Sequence, residues 1–126
     1  MQKDRLKLDK FFEVMKDESF PVFGTDIQPD ERDANDSFFI YADTNVINRG
    51  SNSTMLQFLK QFTLAFVTKV DDQVDVIALA DKLTKCGLTF DHSDFEVGEM
   101  EKGGQDSGIK ASMTTMYFNH AILVVT

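Results

Sequence analysis

The stretch FLKQFTLAFVTKVDDQVDVIALADKLTKCG, from Phe58 to Gly87, reads as a strand, a tight acidic turn and a helix. Phe62, Leu64 and Phe66 alternate with Thr63, Ala65 and Val67, the pattern of a strand with one strongly apolar face. Asp71 and Asp72 follow as candidate helix caps, accepting from the exposed N–H groups of the next turn. Val76, Ile77, Ala80 and Leu83 then recur at helical spacing and predict one apolar stripe. Gly87 suits the left-handed residue that closes such a helix, and Leu88 can fold back onto its last turn.

The flanking segments read as covers for this β–α unit. Leu8, Phe11, Phe12 and Met15 are spaced as an amphipathic stripe, which predicts a helix from about Lys3 to Lys16. It should stop before Phe20-Pro21, because the residue before proline avoids the helical region. Val22, Phe23 and Ile27 suggest a short extended piece, and Pro29 to Asp36 an acidic, solvated loop. Phe38-Phe39-Ile40-Tyr41 is compact and aromatic, as a strand would be. Thr44 to Thr54, rich in Asn, Ser and Gly, predicts a long mobile connection.

After the helix, Leu88, Phe90, Phe95 and Val97 predict a strand bent around Asp91 to Asp94. Glu99 to Ile109, with Gly103, Gly104 and Gly108, predicts a flexible hairpin tip. A last strand from about Ala111 to Val124 becomes apolar on both faces at Ile122, Leu123 and Val124. The pattern is α+β in one domain over residues 1–126: an antiparallel or mixed sheet of four to five strands with two helices packed on one face.

Composition narrows the function classes. A net charge of −8 argues against a nucleic-acid groove, which needs clustered Lys and Arg. Twelve Phe against two Tyr and no Trp place the aromatic content on groups suited to a core. A lone cysteine, Cys86, makes no internal disulfide, so the fold does not call for an oxidising compartment. No apolar run approaches the ~20 residues of a spanning helix, and the chain is expected to stay in a cytoplasm, away from membranes.

Few residues suggest chemistry. Asp91, His92 and Asp94 are metal-ligand types within four positions, but on an extended segment His92 points away from Asp91, and a solvated turn is the plainer reading. The acidic run Asp30 to Asp36 lacks the central Gly and closing Glu of a calcium loop. Gly103-Gly104 precedes no strand-to-helix turn, so it fits no phosphate loop. Cys86 falls in the last turn of a helix, where the dipole disfavours a thiolate. His120 lies inside a strand and reads as a structural histidine. No catalytic, cofactor or metal residues are therefore expected.

With this layout the chain resembles the tail terminator, or tail completion, proteins of long-tailed bacteriophages, and more distantly the small head–tail connector proteins. The resemblance rests on the helix ending before Phe20-Pro21-Val22, the strand Phe38 to Tyr41, and the loop Asn45 to Ser53. It continues through the strand Phe62 to Lys69, the run Cys86-Gly87-Leu88-Thr89-Phe90 and the closing strand Ala111 to Val124. It implies a non-enzymatic virion protein of the tail or neck, assembled in the bacterial cytoplasm without a cofactor. The homo-oligomeric ring, commonly six subunits, caps the tail tube and joins it to the head connector. Its partners are then other copies, the major tail tube protein and the connector, with no specific nucleic-acid binding and no membrane.

Carried onto this chain, the candidate interface residues are Asn45, Ile47, Asn48 and Arg49 in the first connection and Glu101, Lys102, Gln105 and Asp106 in the second. Two other readings stand beside this one. The first is a head-completion or minor tail protein, which the same layout fits. The second is a small-ligand-binding regulatory domain, which predicts a pocket with convergent polar groups.

Overall fold

The computed structural model describes the backbone of residues 2–51, 55–102 and 105–125, and the side chains of these except 2, 44, 48–51, 55, 99–102 and 105–109. The chain forms β1 (Gln2–Asp4), α1 (Leu8–Lys16), β2 (Val22–Phe23), α2 (Pro29–Ala34), β3 (Ser37–Ser51), β4 (Met55–Thr68), α3 (Val76–Thr84), β5 (Thr89–Lys102) and β6 (Gln105–Val125). The six strands make one sheet in the order β1-β6-β4-β3-β2, with β5 on the same side of β6 as β1. Every pairing is antiparallel except the two-residue contact of β2 with β3. The fold is α+β, as the periodicities indicate.

The alternation on β4 sets the core. Phe62, Leu64 and Phe66 are buried beneath α1 and α3, with Phe39 from β3 and Met116 and Phe118 from β6 on the same face. Phe11 of α1 meets Phe62 edge-on at 5.1 Å, and Tyr41 stacks on Phe62 at 5.9 Å with the rings 13° apart. Burying each such ring contributes about 1.5–3 kcal/mol before the entropy of ordering is counted.

Several boundaries differ from those the sequence suggests. Helix α1 begins at Leu8 rather than near Lys3, because Gln2, Lys3 and Asp4 pair with Val124, Leu123 and Ile122 as an added strand. Unpaired backbone on the β6 edge outweighs the helix propensity of three polar residues. Pro29 to Ala34 is a short helix instead of a loop. Pro29 sits at its first turn, and Gln28 and Glu31 form a reciprocal capping box. This helix follows Ile27, which packs with Phe38 and Val67 on the sheet face opposite α1 and α3.

The acidic turn is also used differently. Asp75, not Asp71 or Asp72, caps α3, accepting from Ala78 N–H at 3.0 Å. Asp71 takes a left-handed φ of 62°, and the Asp72 carboxylate accepts from the Ser37 hydroxyl at 2.6 Å. The later start rotates the apolar stripe onto Leu79, Ala80 and Leu83, and leaves Ile77 84% exposed.

Gly87 has a φ of +91°, and a Cβ there would lie 1.9 Å from the Arg5 carbonyl oxygen. The chain end from β1 passes against α3 at this point, with Lys7 N–H donating to the Cys86 carbonyl at 2.8 Å. Gly87→Ala is therefore expected to lower stability by about 2 kcal/mol or more, read as a drop in the urea unfolding midpoint. An unchanged midpoint would mean that β1 is not docked against this turn.

Candidate assembly interface

The two polar connections expected as mobile loops are largely strand. β3 continues through Thr44 to Ser51, paired with β4 down to Leu56, with register shifts between Asp43 and Val46 and between Asn48 and Gly50. The β-branched pair Val46-Ile47 inside the Asn- and Ser-rich run was the signal for it. Of residues 44–54, Asn52, Ser53 and Thr54 lie outside the described residues. In the second connection, β5 and β6 pair as far as Lys102 opposite Gln105, and Gly103 and Gly104 lie outside the described residues.

The pairing registers set where these two hairpins reach. The β3–β4 hairpin turns between Ser51 and Met55, and Met55 pairs with Val125 at the C-terminal end of β6. The β5–β6 hairpin extends the other way. β4 ends at Thr68, opposite Ser112, so Gln105 to Ala111 of β6 pair only with β5 among the described residues. The sheet thus turns one long hairpin, here called an arm, toward each end; among the described residues only the second runs past its neighbouring strands, and the first ends level with β6 and β1.

The candidate residues divide between these arms. Asn45 donates from its side-chain amide to Gln61 at 3.0 Å, which ties β3 to β4 within the chain. Ile47 is 54% exposed, as is its neighbour Val46 at 57%. Asn48 pairs with Phe58, and Arg49 sits in the second β3 irregularity. Glu101 pairs with Asp106 and Lys102 with Gln105. The side chains of Asn48, Arg49, Glu101, Lys102, Gln105 and Asp106 lie outside the described residues. Sequence reading did not single out Phe95 and Val97 as surface residues, yet they are 66% and 65% exposed on β5. Their strand lies at a lateral side of the sheet, paired only with β6.

The remaining constellations resolve into local structure. The His92 ring stacks on Tyr117 at 4.4 Å and reaches Asp91 at 2.6 Å, with Asp94 farther off at 3.8 Å. A register shift at Asp91 turns its carboxylate toward the ring that strict alternation would oppose. Among the described residues, no group of three or more His, Cys, Asp or Glu is placed to hold a metal ion. No described helix is long and apolar enough to cross a membrane. A groove of ≈ 340 Å³ on the face opposite α1 and α3 is lined mainly by apolar groups such as Phe38, Ile40, Val67 and Met113, with Arg32 and Glu96 as its charged members.

His120 is buried, and both ring nitrogens meet carboxylates: Nδ1 lies 2.6 Å from Asp4 and Nε2 2.9 Å from Asp43. Asp43 also pairs with Lys60 at 3.3 Å. The cluster joins β1, β3, β4 and β6 at the base of the first arm. Its members are 77 to 116 positions apart from His120 in Asp43 and Asp4, so spacing gave no sign of it. Cys86 is buried, and burial pushes its thiol up, with Lys10 pulling down and Asp9 and Glu13 pushing up more weakly.

The chain matches no family model and no curated protein.

Two measurements check this geometry. Replacing His120 by Leu is expected to cost about 2–3 kcal/mol, since two hydrogen bonds to charged groups are lost. Equilibrium urea unfolding reads this, and a loss under about 0.5 kcal/mol, the size of an ordinary surface substitution, would contradict a structural cluster. Cys86 should resist a thiol-labelling reagent in the native chain and react fully in urea. Rapid native labelling would mean that α3 is not seated as described.

Proposed function

We propose that this chain is a tail terminator of a long-tailed bacteriophage, a non-enzymatic protein that forms a ring on the end of the tail tube and joins it to the head connector. The observation that carries the reading is the pair of arms, directed to opposite ends of one helix-backed sheet. A subunit seated between a tube and a connector has to meet a different partner at each end, and each end of this sheet presents one hairpin turn. The element order also supports it, because the helix, aromatic strand, long hairpin, helix and second hairpin follow one another as in the resemblance described above.

Charge is consistent with this role. A subunit with a net charge of −8 repels the phosphate backbone, so a channel built from it lets DNA slide without holding it. The exposed Val46, Ile47, Phe95 and Val97 are apolar groups that contact with another chain would cover. In this reading the protein belongs to the virion neck and needs no cofactor.

The experiment is electron microscopy of particles produced without the protein. The reading predicts tails of unregulated length, or finished tails and filled heads that do not join. Tails of normal length attached to heads would overturn it.

A further inference from the structure

The two lateral sides of the sheet differ in charge and in chain direction. On one side β5 pairs only with β6, so its outer backbone edge has no strand partner among the described residues. On the other side β2 covers β3 only at Phe39 and Ile40, and from Tyr41 to Ser51 the outer edge of β3 has no strand partner among the described residues. Uncovered edges of this length are templates for pairing with another chain. Exposed apolar side chains accompany both: Val46 and Ile47 on β3, Phe95 and Val97 on β5.

We propose that the occupant of each edge is a second copy of this chain, joined head to tail, with the free edge of β3 in one protomer pairing with the free edge of β5 in the next. Charge decides against the symmetric alternative. β5 carries Asp91, Asp94, Glu96, Glu99 and Glu101 against Lys102 and His92. Two β5 edges related by a two-fold axis would set these carboxylates opposite one another, and like charges directly opposed destabilise a pair of strands. β3 carries only Asp43 and Arg49 as charged residues, so it accepts the acidic strand without that penalty.

Direction agrees. β3 and β5 run antiparallel to each other, because three antiparallel pairings, β3–β4, β4–β6 and β6–β5, separate them. A head-to-tail repeat of the sheet therefore joins β3 to β5 in the antiparallel ladder, the more stable of the two. The free part of β3 lies nearer the C-terminal end of β6 and the free part of β5 nearer its N-terminal end. Neighbours must then be staggered along the strands, as closing any sheet requires. A heterologous contact of this kind closes into a ring when its rotation permits.

By register Val46 and Val97 lie on the same, helix-bearing face. Val46 pairs with Lys60, two positions before Phe62, and Val97 with Ser112, itself opposite Thr68, two positions after Phe66. The inference deepens the ring-forming reading above and rests on it for the choice of a second copy as partner.

The test is cross-linking of the full chain with a short bis-maleimide, comparing Val46→Cys, Val97→Cys and the double variant. Both positions are exposed and Cys86 is buried, so the new thiols are the reactive ones, and an unchanged circular dichroism spectrum confirms folding. The expected result is a ladder above dimer from the 14.3 kDa monomer in the double variant alone. Efficient dimer formation by Val97→Cys alone would overturn the proposal in favour of two-fold β5 pairing. Monomer throughout, at concentrations where the wild-type chain sediments as an oligomer or as a monomer alike, would overturn it too. The ladder together with normal tails in particles lacking the protein would remove the terminator reading and uphold the edge pairing. Defective tails with no ladder would do the reverse.

Discussion

Burial of one row of side chains, Phe62, Leu64 and Phe66, is the constraint from which the rest of this molecule follows. The row lies on β4, with β3 and β6 on either side, and exposing it would forfeit several kcal/mol. Covering it fixes the seats of α1 and α3, and those seats fix the turns that enter and leave them. Gly87 has to be a glycine because the chain rising from β1 passes over it. Asp75 has to be the cap because α3 must present Leu79, Ala80 and Leu83 downward.

What was legible in the chain is what depends on short-range period. The β4 alternation, the left-handed Gly87 and half of the α1 stripe, Phe11 and Met15, lie where short-range pattern implies, whereas Leu8 and Phe12 of that stripe are 44% and 38% exposed. The errors came from long-range pairing. Gln2 to Asp4 carry no strand signal of their own, and they become strand because an edge of β6, some 120 residues on, has backbone groups to satisfy. The polar run from Thr44 to Ser51 has the composition of a loop, yet β4 pairs with it at Val46, Ile47, Asn48, Gly50 and Ser51, across two register shifts. The capping box at Gln28 and Glu31 is a different failure: it was present in the letters and masked by the density of acidic residues around it.

The candidate interface was partly legible for the same reason. The two segments were located by their composition, but composition hides that most of their described backbone is paired strand. It hides also that both outermost long strands carry exposed apolar groups. Phe95 and Val97 look like core residues in a list of apolar positions, and only the topology, with β5 at a lateral side of the sheet, shows them to be exposed. His120 is the converse. An ordinary histidine in a strand turns out to hold Asp4 and Asp43 together, so the N-terminal strand and the first arm share one buried anchor.

In the assembly proposed above, other copies of the chain cover the two edges of this helix-backed sheet that have no strand partner among the described residues. Hydrogen–deuterium exchange of the backbone amides in β3 and β5, measured across a range of protein concentration, examines that claim most directly. Self-association through the edges predicts that amides from Val46 to Ile47 and from Asp91 to Val97 gain protection as concentration rises, while α1 and α3 stay as they were. Exchange at both edges that is fast and independent of concentration, in a chain that nonetheless forms oligomers, would contradict it.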